Sequence, residues 1–288
     1  MRKVGVVVDS GVSIPEELIN EYEIEVVPLV TVFGDKLYRD IIDLKTPSEL
    51  FQLIDKSDKF PTTSAPSPTD YLETYRKLSQ KADSIFYVAM SSKLSVSFNS
   101  ATMAKEMAEN DLPDISIEVF DSMTTVGASG LVALAAARAG ASGKSLAQVV
   151  KIAKEVRAKV TMIFVMDTLS YLAKSGRIGR AQALMGNMLS IKPIVEIPTS
   201  SGRVEPVTRV RTKPKAVKQL LEIVEQRVGG KKPVHIMVEH TAVPQEAARL
   251  KETVAARFNC AELLLCEFNP TGAVTIGPGN LGLSFYSD

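Results

Sequence analysis

The sequence predicts an α/β protein of two domains: an N-terminal doubly wound, mostly parallel sheet, then a second α/β domain with a mixed sheet. Three observations carry this. Short apolar runs alternate with helical periodicity through the first half, the pattern of a parallel sheet covered on both faces. The second half changes grain, with a hairpin-like segment at 192–211. The length of 288 residues suits two ordinary domains, each able to bury a core.

The elements follow in order. Val4 to Val8 reads as a strand buried on both faces, and Pro15 opens a helix with Leu18, Ile19 and Tyr22 on one side. Glu25 to Phe33 reads as one strand, and Thr46-Pro47 starts a helix carrying Leu50, Leu53 and Ile54. Phe60 to Pro68 is all turn chemistry, followed by a helix with Tyr71, Leu72, Tyr75 and Leu78. Ile85–Met90 and Ile115–Phe120 read as strands around a helix at 99–109, and helices at about 123–139 and 145–158 follow. A boundary near 158 gives domains 1–158 and 159–288. Beyond it come a strand at 160–165, a helix around 180–189 and two strands within 192–211 joined near Gly202. A helix at 214–227, a strand at 234–239, a helix at 244–258 and two or three final strands complete the chain.

Composition excludes several classes. Lys and Arg total 34 against 33 Asp and Glu, so no global field draws nucleic acid or a membrane surface. Cys260 and Cys266 are too few for a disulfide framework or a zinc cluster. No signal-peptide pattern opens the sequence, and no apolar run approaches the roughly 18 residues of a membrane span. The expectation is a reduced, soluble, cytoplasmic protein without metal or cofactor.

Three motif matches fail on context. Gly277-Pro-Gly-Asn-Leu-Gly282 fits the dinucleotide-binding spacing, yet too little chain follows for the helix that would carry a pyrophosphate. Gly143-Lys144-Ser145 resembles the end of a P-loop, but Arg138 stands where its first glycine belongs. His235 and His240 are an odd number of residues apart on one strand, hence on opposite faces.

What remains is the set of residues that end the strands: Asp9-Ser10, Ser91-Ser92 and Asp121-Ser122. On parallel neighbouring strands they share the carboxyl edge where α/β sheets bind ligands, and the Thr62-Thr63-Ser64 loop can reach it. Two readings fit these pairs: caps for the helices that follow, or a hydroxyl-rich anion site. Unaided hydroxyls are weak nucleophiles, so such a site favours binding over bond cleavage.

Asp9-Ser10, Pro61-Thr-Thr-Ser64, Ser91-Ser-Lys-Leu-Ser95, Lys174-Ser-Gly-Arg-Ile178, Lys192-Pro193, Arg209-Val-Arg-Thr212 and Gly277-Pro-Gly279 occur in that order. Together they resemble the DegV family, whose bacterial members include the fatty-acid-binding subunit of fatty acid kinase. The resemblance spans essentially the whole chain. It implies one long-chain fatty acid held between two domains by a lipid-binding protein that is not an enzyme by itself. It places the carboxylate at Thr63 and Ser95, with Thr62, Ser91, Ser92 and Thr275 as further candidates. It implies that an ATP-dependent kinase subunit receives the carboxylate for acyl phosphate formation, with Arg177 and Arg211 at that encounter. Two departures fall at the carboxylate end: Val96 stands where many members carry Gly, and Thr275 where many carry His.

The small residues of the 123–138 helix (Gly127, Ala128, Ser129, Gly130, Ala133 and Ala135 to Ala137) leave room for close packing or for an acyl chain. Met185 and Met188 are candidates for a facing wall. Burial of a sixteen-carbon chain at about 0.8 kcal/mol per methylene supplies ample gross binding energy. Two other functions compete. An enzyme acting on a small phosphorylated or acyl substrate would use the same cleft, but no general base is evident. A nucleic-acid binder would use Arg203, Arg209, Arg211, Lys213 and Lys215, but no aromatic platform accompanies them.

Overall fold

The apolar run after Lys3 forms β1 (Gly5–Asp9), buried at every residue in the computed structural model, which describes residues 2–57, 59–185, 191–229 and 232–287. Pro15 precedes α1 (Glu16–Tyr22), and β2 (Glu25–Val27) returns parallel to β1. The single strand expected over 25–33 is two strands. Pro28 has no N–H to continue the ladder, and Leu29 donates its N–H to Ser10 Oγ at 2.9 Å. The chain therefore leaves the parallel sheet, and β3 (Val30–Phe33) pairs antiparallel with β4 (Lys36–Arg39). After α2 (Pro47–Asp55), opened by a Thr46–Glu49 capping box, β5 (Thr62–Ser64) joins β3 on its other side. This short strand lies inside the segment expected to be all turn; its two β-branched threonines suit a pleated edge.

Then α3 (Pro68–Ser79), β6 (Ser84–Ala89), α4 (Ser97–Asp111) and β7 (Ser116–Asp121) complete a four-stranded parallel sheet in the order β2-β1-β6-β7. Next come α5 (Val126–Ala141) and α6 (Leu146–Lys159), the latter capped by Ser145 and Gln148. Nearly every side of α5 is buried, because it packs on the parallel sheet and on the sheet that follows. Its small residues serve that double contact: a Cβ at Gly127 would stand 2.5 Å from Glu239 Cδ, and one at Gly130 would stand 2.0 Å from the Ser13 carbonyl oxygen.

The second sheet is mixed. It is built from β8 (Thr161–Val165), β9 (Lys192–Glu196), β10 (Glu205–Val210), β11 (Val234–His240), β12 (Cys260–Glu267) and β13 (Leu281–Ser287), in the order β10-β9-β8-β13-β11-β12. Only β11 and β12 pair parallel. A short helix not expected from sequence, α7 (Ser170–Ser175), precedes a 3-10 turn at Gly179–Leu184 that stands at the start of the helix expected around 180–189; residues 186–190, Met188 among them, lie outside the described residues. The sheet is covered by α8 (Lys213–Val228) and α9 (Pro244–Arg257). Another unexpected element is α10 (Pro270–Ile276), too short for its periodicity to register in sequence. The Gly277-Pro-Gly279 turn after it, with φ of 80° and 82° at its two glycines, leads into β13 rather than a helix. One buried cluster joins Val8 and Phe86 of the first sheet to Phe164 and Met237 of the second, so the two domains share a core. Among the described residues no helix is long and apolar enough to cross a membrane.

Candidate ligand-binding site

Because β1, β6 and β7 run parallel, Asp9-Ser10, Ser91-Ser92 and Asp121-Ser122 do share one sheet edge. None of these pairs caps a helix: α1, α4 and α5 all begin without a side-chain cap bond. Instead they shape loops. Asp9 Oδ1 accepts the Gly11 N–H at 2.9 Å, and Asp121 Oδ1 accepts the N–H of Met123 at 2.8 Å and of Ser92 at 3.3 Å. The Ser91 carbonyl accepts from Leu94 and Ser95, folding 91–95 into a turn that brings Ser95 forward.

A cavity of about 410 Å³ lies where this edge faces the second sheet. Thr63 reaches it from β5, Ser92 and Ser95 from the β6–α4 loop, Thr275 from α10, and Arg177 from the turn after α7. Thr62, Ser91 and Arg211 are not in its lining. Thr62 precedes Thr63 on a strand, so it points the other way and is exposed. Ser91 is fully buried and donates its hydroxyl to the Gly202 carbonyl at 2.8 Å, tying its loop to the β9–β10 turn. Arg211 is exposed in the link between β10 and α8. Arg177, expected at a partner surface, is half-buried in the cavity wall and donates Nη1–H to the Ser175 carbonyl at 2.5 Å.

The body of the cavity is apolar, with Leu29, Met90, Met162, Phe164, Met166 and Phe268 in its walls. It does not run along α5 as the small residues suggested; that helix gives only Val126 to the lining, preceded by Thr125. Met185 is 52% exposed and lies outside the lining. The residues missed in sequence carried a faint signal: Met162, Phe164 and Met166 alternate, as one face of a strand must. Phe164 packs edge-on against Phe268 over the bare Gly282. Val126 itself has φ of 44°, a left-handed conformation costing a β-branched residue about 1–3 kcal/mol.

Among the described residues, Lys93 and Arg177 are the only charged residues in the lining, and no carboxylate accompanies them. The acids lie behind. Asp9 is fully buried and accepts from Tyr87 OH at 2.7 Å, with Tyr71 OH a further 3.0 Å away. Asp40 accepts from Ser10 Oγ at 2.8 Å and from the Thr271 hydroxyl and N–H at 2.8 and 3.0 Å. Burial pushes both carboxyls up to about 6 against these hydrogen bonds. The two histidines are elsewhere: His235 stacks on Tyr286, and His240 is buried with its Nδ1 3.5 Å from Glu267. Among the described residues no group of three or more His, Cys, Asp or Glu is placed to hold a metal.

Two α/β domains around a mostly apolar cavity that also carries hydroxyls and cations in its lining define the class of protein. A family model described as uncharacterised protein, DegV family, matches residues 3–288. A DegV domain-containing protein of Streptomyces coelicolor is 35% identical over 284 residues, covering 98% of each chain. Among solved structures, fatty acid binding is described for a DegV family protein from Thermus thermophilus that aligns over 100% of both chains, with a TM-score of 0.90 and 31% identity. DegV of Bacillus subtilis, described as a fatty acid binding protein, aligns over 100% of both with a TM-score of 0.88 and 28% identity. The chain belongs to the DegV family.

Proposed function

We propose that this protein binds one long-chain fatty acid in the cavity between its domains, acting in the cytoplasm and without catalysis of its own. The observation that carries the reading is a mostly apolar lining that also carries hydroxyls and, among the described residues, two cations and no acid. The carboxylate is held by Thr63 and Ser95, with Thr275 and Ser92 beside them and Arg177 supplying charge. Hydroxyl donors accept no proton and attack nothing without a base, so the arrangement holds a carboxylate rather than transforming it. The fatty-acid-binding descriptions of the Thermus and Bacillus relatives support the same ligand.

The function extends to presentation. The bound carboxylate is offered to a separate ATP-dependent kinase subunit for acyl phosphate formation, with exposed Arg211 on the docking side. Arg suits a phosphate-handling encounter because its planar fork donates two parallel hydrogen bonds. The test is to denature the purified protein, extract it with organic solvent and weigh the extract by mass spectrometry. Near-stoichiometric fatty acid is expected; a phosphorylated metabolite instead would turn the reading toward an enzyme.

A further inference from the structure

The first turn of α5 is held from outside. Thr125, its N-cap, makes no side-chain cap bond. The carboxylate comes from the facing sheet: Glu239 on β11, fully buried, accepts the Gly127 N–H at Oε1 (2.7 Å) and the Ser284 hydroxyl at Oε2 (2.5 Å). A carboxyl oxygen at this end of a helix accepts from a free N–H group of its first turn. A Cβ at 127 would meet the Glu239 carboxyl at 2.5–2.8 Å, so the glycine lets that carboxyl stand this close.

The residue immediately before Gly127 is Val126. Its N–H donates to the Gly11 carbonyl at 3.1 Å, and its side chain lies in the cavity lining. A β-branched residue keeps a left-handed backbone only where its surroundings over-determine it. The anchors here come from different domains: Gly11 after β1 and Glu239 on β11. Glu239 itself is not in the lining.

We propose that Glu239 is a positioning residue for the cavity: by capping α5 from the opposite sheet it holds Val126 against the acyl chain and so sets which chain shapes the cavity accepts. Val126 is stiff at χ1, so a displaced backbone carries both methyl groups into or out of the ligand's path. The inference rests on the fatty-acid reading of the cavity, and the test separates the two.

The experiment measures Kd for saturated and cis-unsaturated eighteen-carbon acids with the native protein, Glu239→Ala, Glu239→Gln, Val126→Gly and the Glu239→Ala/Val126→Gly double variant. Glu239→Ala is expected to change the ratio of the two Kd values by about tenfold, the lower end of what one methylene of misfit costs in a pocket. Glu239→Gln, whose amide oxygen still accepts from Gly127, keeps the native ratio. Val126→Gly shifts the ratio as Glu239→Ala does, and the second change adds nothing to the first, because one acts through the other. An unchanged ratio in Val126→Gly, an altered one in Glu239→Gln, or additive effects would overturn the inference. If Glu239→Ala does not fold, Val126→Gly and Glu239→Gln decide by the same criteria. A native protein that binds both acids equally overturns the inference alone; one that binds neither overturns the fatty-acid reading and this inference with it.

Discussion

Thr31 and Thr271, 240 residues apart, meet hydroxyl to hydroxyl at 3.0 Å. Thr31 is also the register partner of Thr63 on β5, and Thr271 lies one helical turn before Thr275 on α10. With Asp40 bonded to Thr271 and Ser10, this contact connects the backbone supports of two cavity hydroxyls that come from opposite ends of the chain.

Replacing Asp40 by Ala strands the hydrogen-bonding groups of Ser10 and Thr271 in a buried site. The expected loss is about 1–3 kcal/mol of folding stability for each group left unsatisfied, read from urea denaturation at constant m. Asp40→Asn, which keeps one acceptor oxygen, should lose less. Equal losses in the two variants would mean that the retained acceptor oxygen contributes nothing, against a role for these hydrogen bonds.

Thr63→Val removes a hydroxyl at nearly constant volume. If that hydroxyl donates to a carboxylate, fatty acid affinity falls by about 1.5–3 kcal/mol, the range for a hydrogen bond to a charged group. Methyl esters should bind the native protein more weakly than the free acids. Calorimetric titration of both ligands into both proteins checks this, and equal affinity for acid and ester would remove the carboxylate from Thr63.

Stability should depend on pH in a direction set by buried carboxyls. Burial pushes Asp9 from 3.8 up to about 6 and Glu239 from 4.5 up to about 7. Each keeps its proton in the fold where the unfolded chain has released it, so these groups make stability fall as pH rises from about 4 to about 7. Asp9→Asn does not titrate. Its stability relative to the native protein should therefore climb from about pH 4 to about pH 6 and then level, as followed by thermal melts at several pH values. A constant difference would contradict the burial of an ionising Asp9.

Thr275→His introduces a titrating group at the cavity wall. An imidazolium is stabilised by a bound carboxylate, so affinity for a short, fully ionised acid should rise relative to the native protein as pH falls through about 6.5, the ordinary imidazole value. Equal pH profiles for variant and native protein would place the headgroup away from position 275.

Arg177→Ala and Arg211→Ala should separate. Arg211 is exposed outside the cavity, so its loss should spare fatty acid binding and suppress kinase-dependent acyl phosphate formation. Arg177 is in the cavity wall, so its loss should lower both. Binding by fluorescence displacement and phosphate transfer with the kinase subunit present would show either pattern.

Sequence patterns located the parallel sheet well because β1 and β6 are buried on both faces and read as unbroken apolar runs. The family resemblance carried by motif order named Thr63, Ser95 and Thr275, and all three line the cavity. Sequence patterns failed where non-local pairing decides the outcome. β5 exists only because β3 is beside it, and α10 because Leu44 and Leu50 pack against Ala273 and Val274. Which of the two uses the small residues of α5 serve was open for a related reason. A run of small residues leaves space, but only the fold shows that the Glu239 carboxyl fills it at Gly127 and the Ser13 carbonyl at Gly130.

The burial of α5 on all sides bears on how such a protein can be divided. A helix of this kind has no solvent face to present when either sheet is taken away, and its outer surface would become an apolar patch of the sort that drives aggregation. A fragment ending near residue 158 would keep the helix and lose half of what covers it. The two domains are thus distinct in topology yet inseparable as material, and transplanting either one into another chain would require redesigning α5 first.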